Sequence, residues 1–162
     1  MISEPKCSGN LNANAAPATG LLTSANQNRL VLAAIKALGS SHPLQPANLC
    51  FGAAVLTVAD TIYSAAVFWS ATSTLTLHAE HAALAHAASH GEREVLAVAC
   101  VSTEDPKGLA YCRPCGICRQ LIYESAMISK REIAVLMANQ QGAFEMRRIS
   151  ELVPYAWPAN VA

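Results

Sequence analysis

The sequence predicts an α/β fold in which a mixed sheet of five strands is covered by helices. Two observations carry this prediction. Segments of helical periodicity alternate with short β-rich or continuously apolar runs, and their order is helix, strand, strand, helix, strand, helix, strand, strand. A chain of 162 residues has the size of one domain with a single core. We expect a loose N-terminal extension over residues 1–23 and one domain over residues 24–162.

The composition narrows the class of protein. Apolar residues make up 52% of the chain and charged residues 14%, which excludes a disordered chain. The formal net charge is +0, so no basic field attracts phosphate backbones, which argues against a nucleic-acid binder. The longest apolar runs stop after about seven residues, whereas a membrane helix needs about 20. No secretory signal is visible, and we expect a cytoplasmic protein that acts on a small molecule.

The first part of the domain predicts a helix followed by a β-hairpin. Ser24 and Gln27 form a capping box before an apolar stripe, and Gly39 suits the C′ position, so a helix is expected between them. Two β-rich runs then flank Ala59 and Asp60, which predict the turn of a hairpin. The predicted bounds are 24–38 for the helix, 40–48 for a loop, and 49–58 and 61–70 for the strands.

The second part alternates helices with buried strands. An Ala-rich helical segment begins at His78 and ends at Gly91. The apolar run after it is continuous, which is typical of a strand covered on both faces. Pro114 stands just before a further helix, and two β-rich runs follow that helix. The predicted bounds are 78–90 and 115–126 for the helices, and 94–101, 132–138 and 143–148 for the strands.

Candidate metal ligands lie at the N-termini of these two helices. His78 and Glu80 begin one helix, and Cys115 and Cys118 begin the other. Helix N-termini lower the pKa of thiols, which favours the thiolate form that binds metal. One His and two thiolates neutralise Zn²⁺ and leave its fourth position open, as in catalytic zinc sites. The sequence therefore predicts that His78, Cys115 and Cys118 bind Zn²⁺ and that Glu80 is the catalytic acid–base.

Other assignments of these residue types compete with the catalytic zinc site. A lone C-x-x-C is often a structural zinc half-site or a redox pair. Cys112 extends the motif to C-x₂-C-x₂-C, but Ile122 stands where an iron–sulfur motif needs its fourth Cys. Three further histidines, His81, His86 and His90, could also be ligands, and His86 and His90 are spaced i, i+4, but we expect all three on the solvent face of their helix.

Longer motifs carry a resemblance to a known family. The pattern H-x-E…P-C-x-x-C is the signature of zinc-dependent nucleobase deaminases. Residues Pro114–Gln120 read PCGICRQ, which resembles the second metal motif of cytidine deaminases, P-C-G-x-C-R-Q. Residues Phe51–Ala54 (FGAA) and Glu151–Trp157 (ELVPYAW) resemble the V-G-A-A and closing E-L-L-P-x-x-F motifs of the same family.

The resemblance to cytidine deaminases implies a fold, a cofactor and an assembly. The fold is a three-layer αβα sandwich, the cofactor is Zn²⁺, and short members of the family are commonly homotetramers. The aromatic residue of the closing motif lies at an intersubunit active site in that family, so Trp157 is expected in a neighbour's site, with a local core anchor as the alternative. The substrate-binding positions implied in this chain are Leu49, Trp69, Ala79 and Trp157.

The segment that binds the sugar in cytidine deaminases has a different sequence in this chain. Members of that family bind ribose hydroxyls with N-x-E on the second strand, but residues 49–79 contain neither Asn nor Glu, and Trp69 stands where the Glu is expected. We expect weak selectivity between cytidine and 2′-deoxycytidine and a preference for a free base, a substituted aminopyrimidine or a nucleoside analogue. Alternatively, Trp69 belongs to the core, and Ser70, Thr72 or Ser73 replaces the missing contacts.

The sequence therefore predicts a zinc-dependent hydrolytic deaminase of cytidine or a related amino-heterocycle. One alternative is a non-catalytic protein in which zinc only ties two helices together. The intact Glu80 argues against it, since a structural site has no use for that acid. A second alternative is a deaminase that acts on purines or RNA, and the C-R-Q motif and the neutral charge of the chain argue against that one.

Overall fold

A computed structural model describes residues 22–44 and 49–158, so the predicted N-terminal extension lies almost entirely outside the described residues. The strands are β1 (Phe51–Thr57), β2 (Ile62–Ala66), β3 (Val95–Ser102), β4 (Ala134–Ala138) and β5 (Phe144–Arg148). The helices are α1 (Ser24–Leu38), α2 (Ala79–Ser89), α3 (Gly116–Ser129) and the short α4 (Ile149–Leu152). The sequence prediction contained all of these elements except α4.

The five strands form one mixed sheet in the order β2-β1-β3-β4-β5. Strands β3 and β4 are parallel, and every other pair of neighbours is antiparallel. The turn between β1 and β2 contains Asp60 with a φ of 61°, so the predicted hairpin is confirmed. Strand β3 lies at the centre and is buried at every position, as its continuous apolar run predicts.

Helices cover both faces of the sheet. On one face, Leu30 and Ala34 of α1 pack in a cluster with Leu56 and other sheet residues. On the opposite face, Ala83 of α2 and Ile122 of α3 join a second cluster. The predicted three-layer αβα sandwich is confirmed, and the sheet is apolar on both sides because each side packs against helix.

Helix α1 begins and ends differently from the prediction. Its N-cap is Thr23, whose Oγ1 accepts a hydrogen bond from the Asn26 backbone N–H at 3.2 Å. The predicted cap at Ser24 is wrong by one residue, because Thr23 has the extended backbone of a cap while Ser24 is already helical. Gly39 is the C-cap with a right-handed φ of −66°, so it is not the left-handed C′ residue that was expected.

Strand β2 is shorter than predicted, and α3 is longer. Because β1 begins at Phe51, its pairing with β2 ends there: Gly52 pairs with Ala66, and the Val67 backbone N–H donates to the Phe51 carbonyl oxygen at 2.9 Å. The chain after β2 turns away from the sheet, and Phe68 instead forms a bridge with Leu77. Helix α3 continues to Ser129, three residues beyond its predicted end, and stops where its C-cap adopts a left-handed φ of 50°.

Candidate metal centre and catalytic pocket

Two helix caps supply side chains to the site. His78 is the N-cap of α2 and Cys115 is the N-cap of α3, and neither side chain makes a capping hydrogen bond. An N-cap is ordinarily Ser, Thr, Asp or Asn because its side chain binds the first free N–H groups. Here the imidazole and the thiol point to each other instead. Cys118, in the first turn of α3, completes the group and is buried.

The three donor atoms lie close together. His78 Nδ1 is 3.4 Å from Cys115 Sγ and 3.3 Å from Cys118 Sγ, and the two sulfur atoms are 3.3 Å apart. Tetrahedral Zn²⁺ with bonds of about 2.3 Å to sulfur and about 2.0 Å to nitrogen separates its ligands by about 3.5–3.8 Å. The observed separations are a few tenths of an ångström shorter, so small side-chain movements fit the group to Zn²⁺.

The electrostatics of Cys118 also favour a cation at this position. Burial and then the neighbouring Glu80 carboxylate raise the pKa of the Cys118 thiol. The predicted lowering of thiol pKa by the helix N-terminus is therefore outweighed at this residue. A metal ion reverses this balance, since a coordinating thiol is deprotonated by the ion it binds.

Glu80 lies beside the donor group. It is in the first turn of α2 and is only 6% exposed. It lines a cavity of about 350 Å³ together with His78, Cys115 and Cys118. The other lining residues are Phe51, Val67, Trp69, Ser73, Thr76, Ala79, Glu104, Cys112 and Arg113. The cavity lies at the end of the sheet where β1 begins and β3 ends.

The predicted substrate-binding residues are distributed unevenly around this cavity. Trp69 and Ala79 line it. Leu49 lies outside the lining, and its carbonyl oxygen accepts a hydrogen bond from Trp69 Nε1 at 3.0 Å. Trp157 also lies outside the lining and is 78% exposed, so it does not anchor the local core.

Only one of the three hydroxyl residues considered from the sequence reaches the cavity. Ser73 lines it, whereas Ser70 Oγ accepts a hydrogen bond from the Thr72 backbone N–H at 3.2 Å and holds a local turn. Thr76, which the sequence did not single out, also lines the cavity, and its Oγ1 accepts a hydrogen bond from the Ser70 N–H at 3.1 Å.

Two charged lining residues were missed by sequence reasoning. Glu104 and Arg113 belong to the loop between β3 and α3. The signal for Glu104 was its place just after a buried strand, and the signal for Arg113 was its place immediately before the P-C-x-x-C motif. From the sequence alone, both residues are equally consistent with charged side chains on a solvent-exposed loop.

Hydrogen bonds hold the metal-binding loop in place. Arg119 Nε donates to the Pro114 carbonyl oxygen at 2.8 Å. The Cys112 backbone N–H donates to the Ala138 carbonyl oxygen at 3.0 Å, which ties the loop to the end of β4. Gln120 Nε2 donates to the Trp157 carbonyl oxygen at 2.5 Å. Arg119 therefore holds the main chain just before α3, and Gln120 holds the main chain of the C-terminal segment.

The remaining histidines of α2 lie outside the donor group. His86 and His90 are exposed, as predicted, and each ring centroid lies 5.1 Å from that of Tyr63. The expectation is wrong for His81, which is half-buried and stacks on His78 with centroids 5.2 Å apart. Burial, and then the neighbouring His78, lower the pKa of His81.

The fold and the site together define a class of protein. It is an α/β sandwich with a His-Cys-Cys metal group at two adjoining helix N-termini and a buried carboxylate in the same cavity. Three protein donors are the number found at catalytic zinc sites, where the fourth position takes water or substrate. No helix in the described part of the chain is long and apolar enough to cross a bilayer.

Comparisons with known proteins identify the family. The model of the cytidine and deoxycytidylate deaminase zinc-binding region matches residues 24–135. A cytidine deaminase of Halalkalibacterium halodurans is 36% identical over 110 residues, which cover 67% of this chain and 77% of that protein. The chain therefore belongs to the cytidine and deoxycytidylate deaminase family, and it is a zinc-dependent deaminase.

Solved structures agree with this assignment. A cytidine deaminase from Burkholderia pseudomallei superposes with a TM-score of 0.69 at 28% identity, covering 80% of this chain and 97% of that one. A cytidine deaminase from Mycobacterium tuberculosis superposes with a TM-score of 0.65 at 25% identity, covering 82% of this chain and 97% of that one. The similarity spans nearly the whole of each solved chain.

Proposed function

We propose that this protein hydrolyses the exocyclic amine of cytidine or a related aminopyrimidine, with His78, Cys115 and Cys118 holding Zn²⁺ and Glu80 moving the protons. The observation that carries the proposal is the buried Glu80 carboxylate in the same cavity as the three donor atoms. The relatives named above as cytidine deaminases support the choice of substrate. A structural zinc site would gain nothing from a buried acid beside its thiols.

The chemistry needs a nucleophile and a proton carrier. Zn²⁺, when bound, lowers the pKa of water so that hydroxide is available near neutral pH. Glu80 accepts the proton that the water loses and delivers it to the ring nitrogen beside the amino-bearing carbon. Attack on that carbon gives a tetrahedral intermediate in the substrate. Glu80 then transfers the proton of the newly added hydroxyl group to the amine, the C–N bond breaks, and ammonia and the ring carbonyl are formed.

Part of the cavity wall is apolar. Trp69, Phe51 and Val67 give it apolar walls next to the donor group. Trp69 has its indole N–H engaged by the Leu49 carbonyl, so its ring remains for contact with a planar base. This arrangement supports a flat, partly apolar substrate of the aminopyrimidine class.

Glu80→Gln tests the proposal. The amide keeps the shape of the side chain but cannot carry a proton, so we expect ammonia release from cytidine to fall by about 10²–10⁴-fold. The zinc content should remain equal to that of the wild type. Glu94→Gln is the matched control, because Glu94 is exposed and lies outside the cavity. Full activity of Glu80→Gln would exclude this mechanism.

A panel of substrates separates the pyrimidine assignment from the purine alternative. We expect ammonia release from cytidine, 2′-deoxycytidine or cytosine and none from adenosine or guanine. Release from a purine alone would exclude the pyrimidine assignment.

The proposal extends to the assembly and location of the protein. We propose a homotetramer in which Trp157 enters the active site of a neighbouring subunit, and its 78% exposure outside its own cavity supports this. A cytoplasmic location is supported by the cysteines at positions 50, 100, 112, 115 and 118, all of which are free thiols.

A further inference from the structure

A carboxylate and a guanidinium also line the cavity. Glu104 and Arg113 stand at opposite ends of the β3–α3 loop, outside the donor group and outside the proton path of Glu80. The wall formed by β1 and the end of β2 is apolar at Phe51, Val67 and Trp69. Charge for recognising a substrate therefore lies mainly on the β3–α3 loop.

Hydrogen bonds fix the shape of this loop. The Asp105 carboxylate accepts hydrogen bonds from the backbone N–H groups of Lys107, Leu109 and Ala110 at 2.9, 2.9 and 3.0 Å. These bonds, that of Lys107 first, lower the pKa of Asp105. Asn139 Nδ2 donates to the Leu109 carbonyl oxygen at 3.2 Å and ties the loop to the end of β4. These bonds fix the main chain of the loop between residues 105 and 110.

Glu104 is held by one oxygen and has the other available. Its Oε2 accepts a hydrogen bond from Ser102 Oγ at 3.0 Å, and Ser102 is buried at the end of β3. Its Oε1 has no hydrogen-bond donor among the described residues. The carboxylate is therefore oriented by Ser102 and still able to accept a hydrogen bond from a bound molecule.

Arg113 has unused donors. Within residues 22–44 and 49–158, its guanidinium forms no hydrogen bond or ion pair, and in particular it does not pair with Glu104. Two opposite charges that line one cavity without neutralising each other leave both a donor and an acceptor for a ligand. A hydroxyl group matches both, because it donates to a carboxylate and accepts from a guanidinium.

The two charged side chains also favour a neutral substituent. The Glu104 carboxylate repels an anionic group, whereas a hydroxyl group can bind both Glu104 and Arg113. A free base without a substituent would leave Glu104 and Arg113 unused.

We propose that Glu104 and Arg113 are specificity-determining residues that bind a neutral, hydroxylated substituent on the aminopyrimidine ring. They lie on the β3–α3 loop and not on the segment before α2 where the N-x-E motif is missing. The inference rests on the proposed deamination for the identity of the ring. The residues that bind the substituent are identified from the charged side chains that the β3–α3 loop contributes to the cavity. The substrate class is then an aminopyrimidine nucleoside rather than a free base, so the inference selects against the free-base preference expected from the sequence alone.

Equilibrium binding tests the proposal without depending on turnover. The zinc-loaded Glu80→Gln protein is titrated calorimetrically with cytidine, 2′-deoxycytidine, cytosine and cytidine 5′-phosphate. Adding Glu104→Gln removes a charged acceptor of the same size, and we expect the preference for cytidine over cytosine to fall about tenfold. Arg113→Met should lower the same preference, and Lys107→Met is the control, because Lys107 is on the same loop but not in the cavity.

The outcomes separate this inference from the proposed function. A preference for cytidine over cytosine that Glu104→Gln leaves unchanged would overturn it, as would a starting protein that binds cytosine at least as tightly as cytidine. If the protein binds cytidine 5′-phosphate more tightly than cytidine, and Arg113→Met abolishes this difference, then the residues bind an anionic substituent. That result would overturn the proposal of a neutral one. If the binding preference behaves as expected but the wild type releases no ammonia, the proposed reaction fails while the inference stands.

Discussion

Two of the three proposed metal donors occupy positions that most helices give to a capping residue. His78 and Cys115 have the extended backbone of an N-cap, yet their side chains point to each other rather than to their own helices. The N-terminal N–H groups of both helices therefore direct their positive ends toward the site. This placement stabilises the negative charge of the thiolates, while burial of Cys118 opposes it.

Loss of either predicted thiol ligand should release the metal. With Cys115→Ala or Cys118→Ala, only two protein donors remain, and such a site cannot retain strong affinity for Zn²⁺. We expect zinc content, measured by atomic emission on the purified proteins, to fall well below half of the wild-type value.

Cys112→Ala is the matched control for the two ligand variants. Cys112 is a buried thiol of the same cavity, three residues before Cys115, but it lies outside the donor group. We expect this variant to keep its full zinc content. An equal loss of zinc in all three variants would contradict the ligand assignment.

At the scale of secondary structure, a glycine of β1 lies directly against the main chain of α1. A Cβ at Gly52 of β1 would lie 2.4 Å from the Ala34 carbonyl oxygen and 2.6 Å from the Leu38 backbone nitrogen of α1. Both atoms are main chain and cannot rotate away. The glycine of the F-G-A-A motif thus lets α1 approach the sheet beside the start of the catalytic pocket.

Gly52→Ala should therefore destabilise the protein. Separating α1 from β1 enough to admit a methyl group costs about 1–3 kcal/mol, the range for overpacked cores. We expect a melting temperature several degrees lower by calorimetry. Gly39→Ala is the control, because a Cβ there meets only the Lys36 carbonyl oxygen at an ordinary 3.5 Å. Equal melting temperatures for Gly52→Ala and the wild type would show that the two layers can separate freely.

The sequence predicts elements with large buried faces better than it predicts where they end. The apolar run of β3 and the stripe of α1 are visible because burial requires them. The end of β2 is set by where β1 begins, which its own residues do not encode. A local pattern also cannot distinguish Thr23 from Ser24 as a cap.

The same distinction applies to the site. The donor group and Glu80 follow a short motif at two helix starts, so the sequence is sufficient to predict them. Glu104 enters the cavity through a loop whose anchors, Asn139 and Gln140, are 30 and 35 positions from the groups they bind. The local sequence around Glu104 therefore does not distinguish it from an ordinary charged loop residue.

At the scale of the whole molecule, the C-terminal segment is attached to α3 while its large aromatic side chains remain exposed. Gln120 binds the Trp157 carbonyl oxygen, and Tyr123 Oη donates to the Pro158 carbonyl oxygen at 2.9 Å. Trp157 is nevertheless 78% exposed. The main chain of this segment is anchored while the indole remains available for burial against another surface.

A second subunit is the surface that the shared-site proposal assigns to Trp157. We expect light scattering to give the mass of a tetramer and Trp157→Ala to keep its zinc while losing about tenfold in kcat/KM, because an aromatic contact with the neighbour's substrate is removed. Tyr155→Asn is the control: Tyr155 is fully exposed in the same segment, and Asn tolerates its left-handed φ of 58°. Mixing Trp157→Ala with inactive Glu80→Gln should restore part of the activity, since a Trp157 from one subunit then meets a Glu80 from another. A monomer with full wild-type activity, or a mixture no more active than its components, would contradict a site shared between subunits.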